Sequence, residues 1–165
     1  MIAVVSTHPL RVVELPTPEG LDCVVVRPEL RIDTREARAA LHREVPLERS
    51  VEQSMRLTGF LVGCFRGHVD LIRESMQDVI VGPQRSRAIT GFEAARAAAL
   101  GAGALGFAIS GSGPSVFAWV RSGDAAAEVE SEIREAFRSA GVPSQGWVSR
   151  LGCDGARLVG APAEG

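Results

Sequence analysis

The sequence predicts an α+β fold, a layered sandwich built on a split βαβ pattern. Three observations predict it. Short runs rich in Val, Ile and aromatic residues open the chain and recur in its second half. Amphipathic helical stretches lie between them without alternating one for one with strands. A Gly- and Ser-rich turn joins two apolar runs with no helix between them. The order strand, helices, strand, turn, strand, helix, strand implies one sheet with helices packed on one face.

The elements follow in chain order. Residues 2–5 read as a strand and residues 10–15 as a second, before Pro16, Pro18 and Gly20 mark a turn. Residues 23–26 are a continuous β-branched run, the pattern of a strand buried on both faces, and Pro28 ends it. Asp33 or Thr34 caps a short helix over 35–41. Pro46 precedes a longer helix over 47–65, where Val51, Met55, Thr58, Val62 and Phe65 recur at helical spacing and Gly67 supplies the C-terminal cap. Asp70 starts another helix, with Leu71, Ile72, Ser75, Met76 and Val79 on one face.

Gly82-Pro83 breaks that pattern and a loop over 84–90 follows. Residues 92–100 are Ala-rich and helical, stopped by Gly101 and Gly103. Residues 105–109 and 116–120 are strands. Asp124 caps a helix reaching Ala140, with Val129, Ile133, Phe137 and Ala140 on one stripe. Its acids sit early and Arg134 and Arg138 late, which suits the helix dipole. Residues 146–151 form a third strand of this half and 156–159 a fourth, before a frayed tail at 161–165.

The composition limits the chemistry. The chain has 165 residues, 45% of them hydrophobic, enough for a buried core. All 18 of its Lys and Arg residues are Arg, and there is no Lys. That excludes a P-loop lysine and a lysine Schiff base. Any carboxylate or phosphate is then held by Arg, by backbone N–H groups or by another chain. A formal charge of −2 argues against a nucleic-acid partner. No apolar stretch is long enough for a membrane helix, so no membrane partner is expected. Residues 1–8 lack the basic leader of a signal peptide, which makes a cytoplasmic location the expectation. Cys23, Cys64 and Cys153 are widely spaced and read as reduced thiols, and His8, His42 and His68 show no ligand spacing.

Two features point to a site. In the loop between the strands at 105–109 and 116–120, Ser110, Gly111, Ser112, Gly113 and Ser115 alternate small residues. Alternating glycines allow positive φ and turn backbone N–H groups to one side, the geometry of an anion nest. An ordinary Gly-rich turn has the same composition. Arg38, on the short helix, and Arg85, after Gly82-Pro83, are candidates for gripping a carboxylate or phosphate, because a guanidinium holds two oxygens at once.

Three segments together resemble homoserine kinase, of the GHMP small-molecule kinase superfamily. They are VVVRPELRIDTREARAAL at 24–41, DVIVGPQR at 78–85 followed by ITGF at 89–92, and GFAISGSGPS at 106–115. They stand in that family's order and spacing. The resemblance implies a ferredoxin-like C-terminal domain over residues 21–160, a junction strand segment over 1–20 and a tail over 161–165. It implies ATP-dependent phosphorylation of the L-homoserine hydroxyl in threonine biosynthesis, with Mg2+ accompanying ATP, in a homodimer. By position, Arg38 and Arg85 match the residues that hold the substrate's carboxylate end, and the 110–115 loop matches the motif beside the phosphates.

Two positions depart from the family pattern. Gly82 stands where Glu is usual, and His42 where Pro is often found. No Pro-x-x-x-Gly-Leu-Gly-Ser-Ser nucleotide cradle is present. The resemblance therefore covers a C-terminal half, with the catalytic groups expected in an N-terminal half. The chain alone is expected to be inactive. The alternative is a stand-alone amino-acid-binding or dimerisation module derived from the kinase.

Overall fold

The computed structural model describes residues 1–123 and 125–152. Asp124, Cys153, the strand expected at 156–159 and the tail at 161–165 lie outside the described residues.

Two strands, β1 (Ile2–Thr7) and β2 (Leu10–Glu14), form an antiparallel hairpin that is a sheet of its own. Ile2, Val4, Leu10 and Val12 are all exposed on it. The Met1 ammonium donates to Thr17 Oγ1 at 3.0 Å and closes the hairpin's open end.

The main sheet has four antiparallel strands: β3 (Leu21–Pro28), β4 (Gly106–Ile109), β5 (Val116–Arg121) and β6 (Ser144–Arg150). Their spatial order is β4-β5-β3-β6, so β3 is central and pairs with strands from far along the chain. Val24 lies opposite both Ala118 and Val148. This is the βαββαβ arrangement the split pattern implies.

Period-two alternation divides the sheet into two faces. Val24, Val26, Val116, Ala118 and Val120 point to one face. There they meet Ala95 and Ala99 of α5 (Phe92–Gly101) and Val129, Ile133 and Phe137 of α6 (Ala125–Ser139). Leu21 and Trp119 point the other way, where Cys64 of α2 (Leu47–Arg66) and Ile72 of α3 (Val69–Ser75) cover them. The Phe60 ring packs on Trp119 with centroids 5.2 Å apart. Helices therefore lie on both faces, whereas the element order alone predicts one. On this second face Cys23 and Val25 are half-buried, so β3 is less enclosed there than its β-branched run suggests.

The long helix α2 is where the expected orientation fails. Its apolar stripe is largely exposed: Val51, Met55 and Phe65 are 50%, 69% and 63% accessible. The face that packs carries Phe60, Gly63 and Cys64 instead. Small residues explain this. A Cβ at Gly59 would stand 2.3 Å from Ser75 Oγ, and one at Gly63 would stand 2.8 Å from Ile72 Cγ1. The pair of glycines one turn apart lets α3 lie directly against α2, and close approach decides which side is buried.

Two further boundaries differ from expectation. The third helix is capped by His68, whose Nδ1 accepts from the Leu71 N–H at 3.1 Å, and not by Asp70. It stops at Ser75, so Val79 lies beyond it. The segment expected as a loop over 84–90 is instead α4 (Gly82–Arg85) followed by a 3-10 turn (Ser86–Ala88). Pro83 near the start of α4 suits a helix's first turn, where a missing N–H costs nothing.

Candidate functional site

Asp33 sets the first helix, α1 (Thr34–Ala39), by accepting the Arg35 N–H on Oδ1 at 2.7 Å. Arg38 stands exposed in its last turn. Asp78 does the same for α4. Its Oδ1 accepts the N–H groups of Ile80 and Val81, and its Oδ2 that of Gly82, each at 2.9 Å. Arg85 closes this helix.

From there the Arg85 guanidinium reaches the Gly-rich loop, where Nη1 donates to the Gly111 carbonyl at 2.6 Å. Two sequence-predicted features are thus brought into contact. The Arg85 Nε–H is buried and has no protein acceptor.

The loop has the alternating backbone its composition allows. Gly111 and Gly113 adopt φ of 61° and 82°. The Ser110 N–H donates to Ser115 O at 2.8 Å and the Gly113 N–H to Ser110 O at 3.0 Å. Among the described residues no protein acceptor takes the N–H groups of Gly111, Ser112 or Ser115. Gly113 is seated tightly: a Cβ there would lie 3.2 Å from Ile89 and 3.3 Å from Ile109.

Arg38 and Arg85 are related through a bridge. The His42 N–H donates to Gln84 Oε1 at 2.8 Å, and Gln84 Nε2 donates to Ile80 O at 2.7 Å. Neither Gln84 nor Asp78 was a candidate from sequence. An Asp four residues before Gly-Pro is a readable capping signal, but nothing local marks Gln84, whose partner is 42 residues away. The bridge also accounts for one departure from the family pattern, since a Pro at position 42 has no N–H to give. Gly82, the other, keeps its helix start through Asp78.

Beside Arg85 a cavity of about 370 Å3 opens along β4, walled by Val81, Pro83, Phe92 and Phe107. Arg38 does not line it. Away from the site, burial pushes the Cys64 thiol above its ordinary value, and Arg56 and Arg49 hold the Glu52 carboxyl below its own. Among the described residues no three His, Cys, Asp or Glu groups converge to hold a metal ion, and no helix is long and apolar enough to cross a membrane.

The fold and this loop define a class. Residues 58–139 match the family model of the GHMP kinases C terminal, and the chain carries that family's C-terminal domain. Within the family its similarity is to homoserine kinase. It is 44% identical over 149 residues to the homoserine kinase of Xanthomonas campestris, which covers 90% of this chain and 46% of that protein. The homoserine kinase of Chlorobium phaeobacteroides is 36% identical over 156 residues. The crystal structure of homoserine kinase from Cytophaga hutchinsonii superposes with a TM-score of 0.89 at 39% identity, over 91% of this chain and 48% of that one. The chain spans about half the length of the relatives it matches.

Proposed function

We propose that this chain is the C-terminal part of a homoserine kinase, the enzyme that phosphorylates the L-homoserine hydroxyl with ATP. The observation that carries the reading is the contact between Arg85 and Gly111, which joins two of the three family segments at one point. Residues 21–160 are the C-terminal domain in this reading. Residues 1–20 belong with the other half, and the exposed apolar hairpin supports that assignment.

Arg38 and Arg85 hold the substrate carboxylate. A buried donor without an acceptor costs about 1–3 kcal/mol, and the Arg85 Nε–H is such a donor. A carboxylate laid across the guanidinium edge would satisfy it and add a charge-assisted contact. The unpaired N–H groups of Gly111, Ser112 and Ser115 fit a phosphate oxygen better than a neutral group. Phosphoryl transfer asks for positioning and charge stabilisation, which backbone dipoles and arginines supply. ATP with Mg2+ supplies the phosphoryl group when bound. By the family resemblance, the catalytic groups are assigned to the other half. A cytoplasmic homodimer serving threonine biosynthesis completes the reading.

An ADP-release assay with homoserine tests it. The chain alone should show no turnover, and turnover should appear on adding the N-terminal half of the Xanthomonas relative. Robust turnover by this chain alone would overturn the division of labour. No turnover in the reconstituted pair, with calorimetry showing no homoserine binding, would sink the reading.

A further inference from the structure

The exposed stripe of α2 has a spacing of its own. Val51, Met55, Thr58, Val62 and Phe65 follow one another at steps of four, three, four and three residues. That is the seam by which one helix packs along another helix, narrower than the face a helix lays on a core. All five are exposed, while the opposite side of α2 already carries the contacts with α3 and the sheet.

The stripe is complementary to itself. Leu47, Val51, Met55 and Thr58 line a shallow apolar groove towards its N-terminal end. At its C-terminal end the Phe65 ring projects into solvent. A two-fold axis near Thr58, relating two antiparallel copies of α2, sets Phe65 of each copy against Val51 of the other, and Met55 against Val62. The same axis pairs charges. Glu48 and Arg66 lie 18 residues apart, about five full turns, and so share one flank of the helix. Both are exposed, and neither joins the ion pairs of α2, which use Arg49, Glu52 and Arg56. Antiparallel pairing brings Glu48 of one copy to Arg66 of the other, twice over. Parallel pairing would set Glu48 against Glu48 and leave the groove without its ring.

We propose that this chain self-associates through α2, in an antiparallel helix pair about a two-fold axis near Thr58. This gives the homodimer of the proposed function its surface and to that extent rests on that reading; the pairing itself is argued from α2 alone. The hairpin assigned to the other half of the protein adjoins a different surface. Met1 packs on the cluster that holds Cys64, on the covered side of α2, and the stripe faces the other way.

Sedimentation equilibrium of the 165-residue chain tests it. The chain should show a concentration-dependent monomer–dimer equilibrium. Phe65→Ser should weaken dimerisation by more than roughly tenfold with an unchanged circular dichroism spectrum. Glu48→Arg and Arg66→Glu should each weaken it roughly fivefold, and the double variant should recover most of the loss, because the swapped charges meet again across the axis. Val12→Ser, on the hairpin, should leave it unchanged. A chain that stays monomeric, a dimer indifferent to Phe65→Ser, or a double charge variant no better than either single one would each overturn the pairing. Adding the N-terminal half of the Xanthomonas relative probes the competing occupant: if that half dissociates the dimer and fails to bind Phe65→Ser, the stripe belongs to it and the pairing is overturned. Homoserine turnover by the reconstituted pair reads the kinase assignment separately, so an active pair built on a monomeric chain would sink the surface alone.

Discussion

Gln84 receives the backbone N–H of His42 on its side-chain oxygen, 2.8 Å away, and so ties the end of α1 to α4. Arg38 lies four residues before one partner and Arg85 directly after the other. One amide side chain therefore sets how far apart the two candidate carboxylate-binding groups sit.

Gln84→Ala should remove that tie. The expected results are faster hydrogen exchange at the His42 amide and homoserine affinity lowered by roughly tenfold, with little change in global stability. Gln84→Glu keeps the acceptor and should restore much of the protection. His42→Pro should mimic Gln84→Ala in affinity if the N–H is what matters. Unchanged His42 exchange in Gln84→Ala would show that α1 is held by something else.

Asp78 caps α4 with three backbone bonds from an exposed position. Asp78→Ala should cost about 1 kcal/mol, the usual worth of such a cap. Urea unfolding should show a lower midpoint with an unchanged slope, and Arg85 should lose order relative to the loop. Asp78→Asn, which keeps one acceptor, should fall between.

Close helix contact predicts intolerance at Gly63. A side chain there meets Ile72 and the α3 backbone. Gly63→Val should destabilise by roughly 1–3 kcal/mol through overpacking. Met55→Ser, on the exposed stripe, should change stability by less than about 0.5 kcal/mol. Equal effects of the two would contradict the packing of α2 described above.

The Cys64 thiol is buried and its thiolate is disfavoured. Its alkylation at neutral pH should be slower than that of an exposed cysteine and should keep rising with pH beyond the ordinary thiol range, where an exposed cysteine levels off. Denaturant should abolish the difference. Fast labelling of native Cys64 would mean that α2 opens readily from Trp119.

The strand and helix order was legible because periodicity and turn residues mark it locally. Val24, Val26 and the stripe Val129, Ile133 and Phe137 went to the core as their spacing indicates. The side of α2 that packs was not legible from hydropathy, because two glycines outvoted five larger residues. The short helix α4 hid behind Gly82-Pro83, a pair that more often breaks a helix than begins one. Of the site, Arg38, Arg85 and the loop could be picked out by residue type. Gln84 could not, since its meaning lies in what it touches across the fold.

The central position of β3 has a consequence for how the molecule is made. Ser122 donates to Asp22 across 100 residues of chain, and β6 pairs with β3 from further still. During synthesis β3 leaves the ribosome with neither neighbour available, its Val-rich run uncovered until β5 emerges. Closing so long a loop is entropically expensive and makes sheet formation a late event. The helical pair α2 and α3 is local and complete long before that. Nascent chains halted before β5 should therefore hold a formed helical hairpin beside a sticky, unpaired strand, a natural client for a holding chaperone.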